Sequence, residues 1–111
     1  MSSYLDFTTI AAADDLARDV VDLPEWGGRL HVRELTVGER LQLGSMHGEN
    51  PERIPAWLVA VAACKADGSA LFPDRAEAEA MLSRKGKALE KAAQAVLRLS
   101  GLGDEDATEG N

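Results

Sequence analysis

The run Ala56-Trp57-Leu58-Val59-Ala60-Val61-Ala62-Ala63-Cys64 is nine apolar residues without interruption. A helix that is apolar on every side has no face to give to water, so it belongs at the centre of a core or in a bilayer. Nine residues fall far short of the ~20 needed to span a bilayer. The chain is therefore expected to build one small core around this segment, with a central helix over about 55–65 opened by Pro55. A length of 111 residues allows about one domain. Leu, Ile, Val and Phe contribute only 25 of those residues and Ala a further 18. The core should thus be small, with helices packed closely through alanines.

The residues around this segment predict an α+β fold that is mainly helical, with a small N-terminal β-hairpin and three to four helices. Val21 and Leu23, then Leu30 and Val32, alternate with polar residues on either side of Pro24-Glu25-Trp26-Gly27-Gly28. Two period-2 runs around a Pro/Gly turn predict a hairpin over 19–35. Thr36-Val37-Gly38-Glu39 has the capping-box spacing, which starts a helix over about 36–47. Asp67-Gly68 marks a turn with possible short flanking strands. Asp74 followed by Glu77 restarts a helix over about 74–83, and a last helix follows Gly86 over 87–100. Gly101 suits the left-handed position of a Schellman ending, with Leu102 folding back toward Leu97. Residues 1–18 are expected to form a loosely ordered N-terminal arm with one helical turn around Thr9–Ala13. Residues 19–102 form the single globular domain, and 103–111 an acidic, flexible tail.

Acidic residues outnumber basic ones 19 to 12, giving a net charge of −7 and a pI near 4.7. Phosphate backbones demand a basic footprint, so neither nucleic acid nor an anionic membrane is an expected partner. A single cysteine excludes an internal disulfide and a multi-cysteine metal cage. The first residues have neither the basic nor the apolar region of a signal peptide. These features fit a soluble protein of a reducing cytoplasm.

Residues that carry chemistry are sparse. His31 and His47 are the two histidines, and neither has a second ligand at metal-binding spacing. Cys64 ends the apolar run with no adjacent base and is expected to be an inert core thiol. Asp14-Asp15 and Asp104-Glu105-Asp106 lack the loop of a calcium site. Phosphate-binding glycine loops and a nucleophile elbow are also missing. No catalytic, cofactor-binding or metal residues are therefore expected, and no cofactor.

The last helix offers more. At 100° per residue, Leu89, Ala93, Val96 and Ser100 centre one stripe, and Ala88, Ala92, Ala95 and Leu99 form a second seam. The combined arc covers about 200°, wider than the ~100° of a one-sided helix. Either two elements of the same fold cover it, or the Ala88/Ala92/Ala95/Leu99 seam meets another molecule, including a second copy of the chain. Trp57 belongs to the core. Trp26, in the hairpin turn, is either a lid on the core or an exposed anchor for a partner, since aromatic residues dominate binding hot spots.

The segment Val21-Asp22-Leu23-Pro24-Glu25-Trp26-Gly27-Gly28-Arg29-Leu30-His31-Val32-Arg33-Glu34-Leu35-Thr36, followed by Glu39-Arg40, resembles the tail assembly chaperones of long-tailed siphophages. That family opens with a Pro-Glu-Trp-Gly-Gly hairpin and a Val-Arg-Glu-Leu strand, then a helix beginning with Glu-Arg. Ala56 to Ala60, Asp67-Gly68, Leu71-Phe72, Ala88-Leu89 and Leu97 to Gly103 follow in the family's order, so the resemblance covers about residues 19–103. Pro24, Trp26, Gly27, Gly28, Arg33 and Leu35 match the signature.

The resemblance implies a non-enzymatic role. Such chaperones bind and solubilise the helical tape measure protein in the host cytoplasm, help recruit tail tube subunits, and are absent from the mature virion. A longer form made by ribosomal frameshifting usually shares the N-terminal domain and would be a further partner. The alternative is a small structural tail or connector component, which would be found in purified virions. A small enzyme would need a cluster of groups with perturbed pKa in a cleft, and no such cluster is evident in the sequence.

Overall fold

The computed structural model describes residues 4–102. Within them the chain is an α+β fold: a three-stranded antiparallel sheet in the order β1-β2-β3, and five α-helices. The strands are β1 (Arg18–Leu23), β2 (Gly28–Arg33) and β3 (Ala63–Cys64). The helices are α1 (Phe7–Ala12), α2 (Val37–Glu49), α3 (Ile54–Ala62), α4 (Arg75–Leu82) and α5 (Lys87–Leu99).

The expected hairpin is β1 and β2, paired in register from Arg18 opposite Arg33 to Leu23 opposite Gly28. Val21, Leu23 and Val32 are buried on its inner face, as a period of two requires. That face packs on α5, and α5 packs on α3. From Ala56 to Ala62, α3 is buried at every position, and α4 packs against it as well. The remaining strand lies outside the N-terminal hairpin, just before the Asp67-Gly68 turn beside which short flanking strands are expected. The apolar run does not stay helical to residue 65: α3 ends at Ala62, and Ala63 turns to an extended φ/ψ of −64°/133°. Ala63 and Cys64 then pair with Val32 and His31 on the free side of β2. A fully buried apolar run has no periodicity to separate helix from strand, and the unpaired backbone of β2 supplies partners that a longer helix would have left without hydrogen bonds. The chain returns through Asp67-Gly68, with Gly68 at φ +91° and Ala70 bridging back to Cys64.

Helix ends follow their caps. The Thr36 hydroxyl accepts the Glu39 N–H at 3.1 Å, and the Glu39 carboxylate accepts the Thr36 N–H at 2.9 Å, completing the capping box. Asp74 caps α4 by accepting the Glu77 N–H at 3.1 Å. The Schellman ending of α5 is present: the Leu102 N–H reaches the Leu97 carbonyl at 2.7 Å and the Gly101 N–H the Arg98 carbonyl at 3.0 Å, with Gly101 at φ +77°.

In the arm, the expected helical turn is α1, capped by Asp6, whose carboxylate accepts the Thr9 N–H at 2.9 Å. It buries no residue. The expected acidic tail, 103–111, lies outside the described residues.

Candidate functional site

The two sets of residues singled out in the sequence have different fates. Ala88, Ala92 and Ala95 are 4%, 0% and 3% exposed within one chain, and Leu99 is half-buried. The first stripe, Leu89, Ala93, Val96 and Ser100, is buried too. Both arcs of α5 are buried within the same fold, in which α5 packs against α3 and against β1 and β2 of the sheet. The proposed interaction seam is thus core, and the wide apolar arc reflects a helix clamped between two layers.

The hairpin residues are arranged as a tip and a root. At the tip, Pro24, Glu25 and Trp26 form a single tight helical turn, with Pro24 at its first position where its fixed φ fits and its missing N–H costs nothing. The Gly27 N–H closes the turn on the Pro24 carbonyl at 3.0 Å. Gly27 has φ +83°, whereas Gly28 starts β2 with an ordinary φ and open space around it. All five residues of Pro24–Gly28 are exposed, and Trp26 retains 37% of its surface. Such a turn leaves a large aromatic ring at the end of a stiff two-stranded ribbon.

At the root, Arg33 of β2 ties three pieces of chain together, β2, α2 and α3. Its guanidinium donates two bonds to the Glu39 carboxylate, at 2.9 and 3.1 Å. It also donates to the Glu34 carbonyl at 2.9 Å and to the Val61 carbonyl at 3.0 Å. Val61 lies in the last turn of α3, where carbonyls lack helical donors and a cation is favoured. Arg75 of α4 reaches the second Glu39 oxygen at 3.4 Å. The two main partners are largely buried, with side chains 15% and 9% exposed. Burial pushes the Glu39 carboxyl up, but the bonds from Arg33 and Thr36 and the charges of Arg33 and Arg75 outweigh it and hold it below its ordinary value. Next to this node Leu35 is buried, and its N–H donates to the Ser100 hydroxyl at 2.9 Å. That hydroxyl in turn donates to the Val96 carbonyl, locking the end of α5 to the hairpin root.

The signature therefore divides by physical role. Arg33 and Leu35 hold the hairpin to the helices, Pro24 and Gly27 shape the turn, and Trp26 is the one large apolar side chain of the signature left partly exposed. Sequence reasoning missed Glu39 as the acceptor at the root. The signal available was its double use: a capping-box Glu six residues from a strand arginine.

The remaining candidates are quiet. Cys64 is buried, and burial raises its pKa against the lowering pull of Arg18 and Arg33, so the thiol stays protonated. His31 is half-buried in β2 and His47 exposed on the last turn of α2. Among the described residues no group of three His, Cys, Asp or Glu is placed to hold a metal ion, and no helix is long and apolar enough to cross a membrane. A groove of about 740 Å³ runs between α3, α4 and the start of α5. Its Arg53 and Glu79 satisfy each other through two bonds of 2.7 and 2.9 Å.

No protein family model, curated protein or solved structure matches this chain.

The turn geometry separates the two glycines in a measurable way. A β-branched residue at φ +83° is strained by roughly 1–2 kcal/mol, so Gly27→Val should lower the melting temperature by about 4–8 °C. Gly28→Val enters an unstrained strand position with free space and should leave it within about 2 °C. Thermal denaturation of both variants checks the contrast.

Proposed function

We propose that this protein is a non-catalytic phage tail assembly chaperone that binds and solubilises the tape measure protein during tail morphogenesis. The observation that carries the reading is the exposed Trp26 at the tip of a Pro-Glu-Trp-Gly-Gly turn, whose flanking residues also match the siphophage chaperone signature. What supports a binding role is the economy of that arrangement. Arg33 and Leu35 immobilise the root while Trp26 keeps 37% of its surface exposed, so the entropic cost of presenting an aromatic anchor is met on folding rather than on binding. The net charge of −7 favours solubility for a protein that must keep an aggregation-prone partner dispersed.

In this reading the chaperone acts in the host cytoplasm, helps recruit tail tube protein indirectly, works alongside a longer frameshifted form of itself, and leaves before the virion matures. It needs no cofactor. The test is co-expression with the tape measure protein of the same phage. Wild-type chain should hold that protein in the soluble fraction and co-purify with it. Trp26→Ala, which removes a half-exposed ring and leaves the core intact, should weaken the complex by about thirty-fold or more, the loss expected for a hot-spot aromatic of about 2 kcal/mol. Equal solubilisation by the variant would remove Trp26 from the interface. Absence of any complex with wild-type chain would reject the function.

A further inference from the structure

The sheet ends on one side at β1: among the described residues no strand lies beyond it. The pairing with β2 decides which backbone groups that leaves unpaired. One step before the ladder, the Glu34 N–H donates to the Ala17 carbonyl at 2.8 Å. Bonded and non-bonded pairs alternate along antiparallel strands. Asp19, Val21 and Leu23, opposite Val32, Leu30 and Gly28, therefore turn their N–H and C=O groups toward β2. The same groups of Arg18, Val20 and Asp22 point to the open edge. A row of unpaired groups on an edge strand is a template for another strand.

A second copy of β1 fits that template in its backbone. Laid antiparallel about Val20, it would set Val20 opposite Val20 and let residues 18, 20 and 22 exchange bonds with 22, 20 and 18. Val20 is 41% exposed, so an apolar contact would sit at the centre of such a pair. In the folded chain, however, the central donor is already taken. The Asp19 carboxylate accepts the Val20 N–H at 2.7 Å. Asp19 also alternates in phase with the buried Val21 and Leu23 but is itself exposed. A charge at an inward position of an edge strand is one of the ways natural sheets discourage strand addition. In the self-paired arrangement Asp19 would lie opposite apolar Val21 and lose the bond it now makes.

We infer that Asp19 closes the open edge of the sheet, keeping β1 from pairing with β1 of a second copy. The carboxylate acts twice: it occupies the N–H at the centre of the edge, and it sets a charge against an apolar residue in the unwanted pair. This role is independent of the tape measure reading, because it uses neither Trp26 nor any partner.

The experiment compares full-length wild type, Asp19→Ala and Asp19→Asn by sedimentation equilibrium from micromolar to millimolar concentration. Amide hydrogen exchange at residues 18, 20 and 22 is followed in the same samples. Asp19→Ala frees one Val20 N–H in each copy and should self-associate about tenfold more tightly than wild type, or more. Its amides at 18, 20 and 22 should gain protection as concentration rises. Asp19→Asn removes the same charge but keeps an oxygen that accepts the Val20 N–H, so it should associate less tightly than Asp19→Ala. Asp19→Ala/Val20→Lys, which puts two lysines opposite each other at the centre of the pair, should return to the wild-type behaviour. An Asp19→Ala chain that associates no more than wild type would overturn the inference. So would association equal in the alanine and asparagine variants, association without protection at 18, 20 and 22, or association that survives Val20→Lys.

Discussion

Arg33→Met is expected to cost about 3–5 kcal/mol and to lower the melting temperature by about 12–20 °C. The substitution keeps much of the side-chain volume but leaves Glu39 as a buried carboxylate without its two-pronged partner. It also strips the Val61 carbonyl of its donor. Losing one member of a buried pair is far more damaging than losing both, because the surviving charge stays desolvated. The double variant Arg33→Met/Glu39→Met should therefore recover part of the loss. Recovery stays partial because Glu39 also caps α2 through the Thr36 N–H. Acid titration gives a second signature. In the wild type the Glu39 carboxyl is held below its ordinary value of 4.5. The stability it contributes is fully present above that value and is lost as pH falls through the lower folded pKa. In Arg33→Met, burial loses its strongest opponent, so protonation relieves the variant as the pH drops. The stability gap between the two proteins should narrow below about pH 4.5. Denaturant titrations at neutral pH and near pH 4 measure it.

Ala95→Glu is expected to prevent folding. Ala95 is 3% exposed and its neighbour on the seam, Ala92, is fully buried, on a helix pressed between α3 and the sheet. Glutamate there adds both volume where packing is dense and a charge with no partner, a combination worth several kcal/mol. Against the roughly 5–15 kcal/mol that holds a domain together, most chains should be unfolded or insoluble. Lys91→Glu, at an exposed position on the same helix, should shift stability by only a few tenths of a kcal/mol. Far-UV circular dichroism separates the outcomes. An Ala95→Glu chain with normal helicity would return the seam to the surface and reopen it as an interface.

How far the sequence reached depends on the range of the interactions involved. The capping box at Thr36–Glu39, the Asp74 cap, the Gly27 turn and the Schellman ending at Gly101 each need only residues a few positions apart, and all were legible. The end of α3 was not. Ala63 and Cys64 become a strand because β2, some thirty residues earlier, has an edge to fill, and apolar residues read the same in either conformation. The seam on α5 posed the same difficulty in another form. Its width was visible in Ala88, Ala92 and Ala95, but what covers it is set by α3 and the sheet. At the hairpin the sequence marked Arg33 and Trp26 alike. Their opposite roles, one a buried tie and the other an exposed ring, appear only when Glu39 and the Val61 carbonyl are brought to Arg33 from across the fold.

In the proposed function the immobilised hairpin offers Trp26 to a helical partner. Hydrogen exchange on the full chain, alone and with the tape measure protein, should therefore show new protection concentrated at residues 24–28 in the complex, with the already buried α3 and α5 unchanged. Protection that leaves 24–28 untouched and appears on another face would contradict it.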